Sequence, residues 1–173
     1  MRICPDTNIW IEWARQAPRT FAFDRLGPAT VFLVTVTLQE LWAGVRSEEE
    51  GLFLERLFHV TRRHGRLLNP PGPAWILSGR ALAALVHVRS LKPTRLRLLK
   101  NDALLAATAF LHDAAVLTRD RGDFDVIAEV LPVRIVTPED WGDRRGPLDL
   151  LHARKIRRPA PLQVPLSLRP AVP

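Results

Sequence analysis

Acidic residues recur in this 173-residue chain at one kind of place, just after a strand-like run or in the first turn of a helix-like one. Asp6 follows the short apolar run RIC, Glu40 follows VFLVTV, Asp102 opens the alanine-rich stretch NDALLAATAFL, and Asp120 and Asp123 lie in the loop after AVLT. Helix capping and dipole matching explain any one of these acids taken alone. Their joint placement points further. In a parallel sheet, the loops leaving the carboxyl ends of the strands converge on one edge, where residues far apart in sequence meet. Carboxylates gathered there repel one another and raise each other's pKa unless a cation neutralises them. Hard oxygen ligands select Mg²⁺ or Mn²⁺ over zinc, and such ions keep waters and take further oxygens from a substrate phosphate. That equipment suits phosphodiester hydrolysis, with an activated water, neutralised phosphate charge and in-line positioning. No Walker loop, Ser-His-Asp pattern or Cys/His metal spacing competes with it. The five histidines show no ligand spacing and read as surface or half-buried residues.

The elements that must position these acids alternate. A strand ending near Cys4 is followed by a helix with Ile9, Trp10 and Trp13 at helical spacing. Residues 31–36 are rich in β-branched side chains and read as one buried parallel strand, with Thr37 as the next N-cap and Glu40 at capping-box spacing from it. Glu48, Glu49 and Glu50 open a third helix, and the NPPGP break at 69–73 precedes a long helical pattern over 75–91. A basic connector follows over 94–100, then the helix carrying Asp102, a strand over 115–118, a short helix through Phe124, Ile127 and Val130, and a last strand over 133–136. Strand and helix in alternation imply an α/β fold with a central, mainly parallel sheet covered on both faces by right-handed crossovers. Tryptophans on the helix faces are expected to pack inward, Trp141 excepted.

Length and a 47% hydrophobic content fit one folded unit. The formal charge is +7, but residues 141–173 contribute +5 of it and six of the 15 prolines. Such a proline density leaves too few backbone donors for sheet or long helix, so the chain divides into a unit over 1–140 and a basic, proline-rich C-terminal tail or arm over 141–173, in which residues 148–156 could form a short amphipathic helix. Cys4, the single cysteine, sits in an apolar run and reads as a small core residue. No apolar run approaches the roughly 20 residues of a membrane span, and the N-terminus lacks a signal-peptide pattern, so a cytoplasmic location and no membrane partner are expected.

Four ordered blocks, PDTNIWIEW, TLQELWAGVR, NDALLAATAF and LTRDRGDFDVI, make the chain similar to the PIN domain, in particular to VapC-type toxin ribonucleases of toxin-antitoxin pairs. The resemblance covers about residues 1–140. It implies a three-layer α/β/α sandwich, a divalent-metal acidic site, endoribonuclease activity, a cognate antitoxin partner and a homodimer. Asp6 and Asp102 resemble the principal metal ligands, and Glu40 the third acid. Asp120 is expected as the fourth and Asp123 as auxiliary. Thr7, Asn8 and Thr118 would orient the carboxylates or bind phosphate, with Asn8 the better cap for the first helix. Arg95, Arg97, Lys100, Arg119 and Arg121 lie beside these acids in sequence and could hold an RNA backbone. Trp42, Leu52, Phe53 and Leu57 could supply a dimer face. Pro5 departs from the family's usual aliphatic residue, and strand pairing is expected to stop there. Rival readings are a structure-specific DNA nuclease and a non-catalytic PIN module that binds RNA or protein.

Overall fold

The computed structural model describes residues 1–16 and 29–142; the tail over 143–173 and the side chain of Trp141 lie outside the described residues. Four strands form a wholly parallel sheet in the order β2-β1-β5-β6, with β1 at Arg2–Pro5, β2 at Thr30–Val31, β5 at Ala115–Leu117 and β6 at Arg134–Val136. A second parallel pair joins β3 (Leu33–Val34) to β4 (Leu67–Leu68). It abuts the first sheet, since Phe32 N donates to the carbonyl of Ile3 at 2.8 Å.

The period-2 alternation of strands sends successive side chains into two cores. Ile3, Val31, Leu33, Ala115 and Leu117 meet Ile9 and Trp10 of α1 (Thr7–Gln16), Leu38 and Leu41 of α2 (Thr35–Ala43), and Leu54 and Leu57 of α3 (Glu48–Arg63). Cys4, Phe32, Val34 and Val116 face the other way, onto α4 (Gly72–Arg89), α6 (Lys100–Leu111) and α7 (Arg121–Ala128). The result is the expected α/β/α arrangement. In α6 the buried Ala103, Ala106, Ala107 and Ala109 keep the helix close to its neighbours. Cys4 is wholly buried, and burial pushes its thiol pKa up to about 12, so it serves as core.

Several expectations are corrected. The run over 31–36 is not one strand: it breaks at Phe32 between two sheets, and Thr35 and Val36 already belong to α2. Thr37 therefore sits inside the helix, is 1% exposed, and its hydroxyl has no hydrogen-bond partner, while Val34 occupies the N-cap position. The expected basic connector contains a helix, α5 (Pro93–Leu98), and α4 starts at Gly72 and stops at Arg89, where Ser90 takes a left-handed conformation (φ 51°). Strand β4 had no counterpart in the sequence reading. Trp42 and Trp75 are exposed rather than packed inward.

Pairing also continues through Pro5, which is buried opposite Leu117, and Asp6 N extends the ladder to the Leu117 carbonyl at 2.8 Å. Alternation explains the tolerance. Backbone groups of Cys4 and Asp6 face β5, whereas those of Ile3 and Pro5 face β2, which has ended at Val31. The donor that proline lacks thus falls on a side with no strand partner, and its carbonyl accepts from Trp10 Nε1 at 3.2 Å. The last helix among the described residues is α8 (Pro138–Gly142), and none of those described is long and apolar enough to cross a membrane.

Candidate functional site: an acidic edge of the parallel sheet

Asp6 lies where β1 becomes α1. Its carbonyl accepts from Ile9 N (3.1 Å) and Trp10 N (3.3 Å), so it occupies the helix's N-cap position, and Asn8, expected there, is an exposed residue of the first turn. The Asp6 side chain is almost wholly buried, with Oδ1 accepting from Thr7 N at 2.6 Å and Oδ2 accepting from Thr118 Oγ1 at 3.1 Å. Burial raises its pKa, the hydrogen bonds from Thr7 and Thr118 lower it in part, and the charges of Glu40 and Asp120 raise it again.

Glu40 comes from the second turn of α2, not the first. Its Oε1 accepts from Asn101 Nδ2 at 2.6 Å, and its Oε2 accepts from the Thr7 hydroxyl in a very short bond. Three helices, α1, α2 and α6, are thereby tied through one carboxylate. Asn101 was legible only as the polar neighbour of Asp102; its link to Glu40 spans 61 residues and leaves no local pattern.

Asp102 stands in the first turn of α6, half-buried, and takes no hydrogen bond or ion pair from the described residues. A helix N-terminus favours a carboxylate, yet its pKa is pushed up to about 7, first by burial and then by Asp6, Glu40, Asp123 and Asp120. The four acids expected together, with Asp123, therefore lie within electrostatic reach of one another. Asp120 is exposed at the N-cap of α7, its N–H held by Thr118 Oγ1 at 3.0 Å. One hydroxyl thus joins Asp6 to the Asp120 backbone. Asp123, in the first turn of α7, forms an ion pair with Arg95 of α5.

The neighbouring cations are largely engaged. Arg119 donates from Nε and Nη2 to Glu12 (2.6 and 2.8 Å) and from Nη1 to Glu139 (2.6 Å), a clamp between α1 and α8 in which neither acid was anticipated from sequence. Arg121 reaches Asp125 at 3.4 Å. Arg97 and Lys100 are exposed and pair with no carboxylate among the described residues.

The donor set suits a hard divalent cation: every candidate ligand is a carboxylate oxygen, and one of them, Asp102, has no partner among the described residues and is burdened by like charge. Asp6 and Glu40 each spend part of about four lone-pair sites on hydrogen bonds and keep the rest. No group of three or more His, Cys, Asp or Glu side chains among the described residues is arranged to hold a metal ion by itself.

The PIN domain family model matches residues 3–130. No curated protein matches the chain in sequence. Among solved structures, the chain is similar to DNA-bound VapBC from Salmonella typhimurium, with 20% identity, a TM-score of 0.57, and 82% of this chain and 98% of that one covered. It is likewise similar to VapBC2 from Rickettsia felis bound to a fragment of its promoter DNA (17% identity, TM-score 0.56, 79% and 98% covered). FitAcB from Neisseria gonorrhoeae gives 23% identity and a TM-score of 0.55 over 79% and 98%. At such identities the likeness is one of fold, whereas the family match spans most of the sequence and includes Asp6, Glu40, Asp102 and Asp120. The chain belongs to the PIN domain family.

Proposed function

We propose that this chain is a metal-dependent endoribonuclease, the VapC-type toxin of a type II toxin-antitoxin pair, acting in the cytoplasm. The observation that carries the reading is Asp102: a carboxylate with no partner among the described residues, its pKa pushed up to about 7 by burial and by four more acids, Asp6 after β1, Glu40 of α2, Asp120 of the β5–α7 loop and Asp123 of the first turn of α7. Like charge gathered at this cost to stability calls for a cation. Solved relatives in fold are toxin-antitoxin complexes, among them one described as a member of the VapBC family from Mycobacterium tuberculosis. They support an antitoxin as partner here.

Asp6, Glu40, Asp102 and Asp120 would hold Mg²⁺ or Mn²⁺, with Asp123 auxiliary. The chemistry such a cation supplies is activation of water and neutralisation of charge at the scissile phosphate. The chain's own residues do the positioning. Thr118 and the Thr7 amide fix the Asp6 carboxylate in one orientation, Thr7 and Asn101 fix Glu40, and Thr118 also sets the backbone of Asp120. Asn8, exposed on α1, and the cations Arg97 and Lys100 are free to meet the RNA backbone. Arg95, Arg119 and Arg121 are bound to carboxylates and act first on the protein itself. We assign the nuclease unit to residues 1–140 and a basic arm to 141–173. A homodimer would use the face bearing Trp42 and Leu52, which are 39% and 49% exposed; Phe53 is half-buried there and Leu57 is core. Light scattering of the purified chain reads the dimer directly.

The decisive experiment incubates the protein with structured RNAs in Mg²⁺, in Mn²⁺ and in chelator, beside Asp6→Asn and Asp102→Asn. Cleavage by the wild type in either cation, absent with chelator and in both variants, is expected. Equal cleavage by the variants, or none by any form, overturns the reading.

A further inference from the structure

An acidic edge must receive a polyanion, yet three of the guanidiniums beside it are already paired with carboxylates. Beyond Arg97 and Lys100, further positive charge without a carboxylate partner among the described residues lies at the far end of α3. This helix ends at Arg63, and the chain re-enters the sheet at Leu67. Strands β3 and β4 are parallel, so the start of β4 and the end of α3 lie at the edge opposite to Glu40, which follows β3.

The turn there is rigid. Gly65 takes φ 63°, its N–H donates to the Arg62 carbonyl at 3.1 Å, and Arg66 N donates to the Thr61 carbonyl at 2.7 Å, the paired bonds of a Schellman stop. Arg62 and Arg63 project from the last helical turn, both exposed, and neither meets a carboxylate among the described residues. With His59 and Val60 they line a depression. Phe58 lies between: the Arg62 guanidinium sits 6.0 Å from its ring centroid, and the His59 ring meets it edge-on at 5.3 Å. Glu55 lies 3.6 Å from His59 Nε2, one turn back on the same helix. Dipole matching accounts for a basic last turn. It does not account for the aromatic and imidazole rings interleaved with the arginines, nor for His64 at the helix end.

We propose that this surface is a second docking site for single-stranded RNA, remote from the acidic edge, in which Arg62 and Arg63 hold backbone phosphates and the exposed His59 ring, set edge-on against half-buried Phe58, offers a face to a base. Positive charge beside an exposed ring is the composition that tracks a single strand without reading its sequence. The site works without a cation and serves to raise the local concentration of a substrate that the acidic edge alone repels. The choice of RNA as occupant rests on the nuclease reading; the binding itself is measured apart from it.

The test is fluorescence anisotropy of a labelled 12-nucleotide RNA with the full chain in chelator, titrated across salt. Arg62→Ala/Arg63→Ala is expected to weaken binding about tenfold at low salt and to flatten the log-log salt slope by about 1.4, the contribution of two phosphate contacts on a single strand. His59→Leu, which removes the exposed ring, is expected to weaken it about fivefold. Arg46→Ala/Arg80→Ala removes the same charge from other exposed positions and is expected to change it less than twofold. Unaltered binding in Arg62→Ala/Arg63→Ala, or an equal loss in Arg46→Ala/Arg80→Ala, overturns the proposal. So does capture of a labelled poly-glutamate peptide at Arg62 and Arg63 with RNA binding unaffected, which assigns the surface to an acidic protein instead. Cleavage assays in Mn²⁺ on the same RNA separate the two readings: variant-sensitive binding without any cleavage overturns the nuclease and supports the surface.

Discussion

The Thr118 hydroxyl donates to Asp6 Oδ2 at 3.1 Å and accepts from Asp120 N at 3.0 Å, so one oxygen at the end of β5 sets two acids that lie 114 positions apart in sequence. Thr118 is wholly buried. Thr118→Val keeps the shape and removes both bonds, leaving the buried Asp6 carboxylate with one donor fewer. We expect a loss of about 1–3 kcal/mol in urea unfolding and RNA cleavage lowered roughly 10- to 100-fold, the usual effect of losing a group that orients a metal ligand. Thr118→Ser is expected to recover most of both.

Asp102 makes stability depend on pH with a definite sign. Its folded pKa of about 7 lies above the unfolded value of 3.8, so the folded state holds a proton that the unfolded chain has released. The stabilisation is complete below about pH 4 and is lost as pH rises through 7. At about 1.4 kcal/mol per pK unit the ceiling is near 4 kcal/mol, and partial exposure brings it to the order of 2. In chelator, Asp102→Asn is therefore expected to melt several degrees above the wild type at pH 8 and close to it at pH 5. Mn²⁺ is expected to raise the wild-type Tm more at pH 8 than at pH 5. Differential scanning fluorimetry at both pH values measures each, and a wild type that Mn²⁺ stabilises equally at both refutes the linkage.

How far such a site can be read from sequence depends on whether its signals are local. The helices at Asp6 and Asp102 were legible from local signals: at Asp6 strand, acid and helix follow within a few residues, and at Asp102 a polar pair opens an alanine-rich run. The run over 31–36 misled because β-branched residues favour a strand regardless of where the sheet ends; tertiary pairing, with Leu33 N donating to the Arg66 carbonyl at 2.8 Å, decides that β3 stops at Val34. The N-cap thus falls three residues earlier, at Val34 instead of Thr37, which moves Glu40 from the first turn of α2 to the second and turns Thr37 from an expected cap into a buried side chain. Strand β4 is two residues long and carries no periodicity to detect. Asn101–Glu40 and Arg119–Glu12 are contacts across 61 and 107 residues, and no spacing within the chain announces them.

The misplaced Thr37 yields its own prediction. Its hydroxyl is buried with no hydrogen-bond partner, an arrangement that costs about 1–3 kcal/mol relative to a satisfied or apolar group. Thr37→Val replaces the hydroxyl by a methyl of similar size and leaves the backbone preference alone. We expect about 1 kcal/mol of added stability, or 2–4 °C in Tm for a chain of this size. An unchanged or lowered Tm would mean that the hydroxyl does find a partner in solution.

Arg119 separates two roles that sequence position alone confuses. As an RNA ligand it would leave the protein's shape unaffected and raise KM when removed. As a clamp it spans Glu12 of α1 and Glu139 of α8 while standing between Thr118 and Asp120 in the chain, so its removal frees the loop that carries Asp120. The pairs are exposed, and exposed pairs contribute little to stability. Arg119→Gln is therefore expected to leave Tm nearly unchanged and to lower kcat about tenfold with KM within a factor of two. Arg119→Lys is expected to restore little, because an ammonium cannot reproduce the two-pronged bond to Glu12. Glu12→Gln supplies the cross-check. If Arg119 acts through Glu12, the double variant loses no more activity than Arg119→Gln alone; if Arg119 meets RNA directly, the two losses multiply and the salt dependence of KM falls with the arginine.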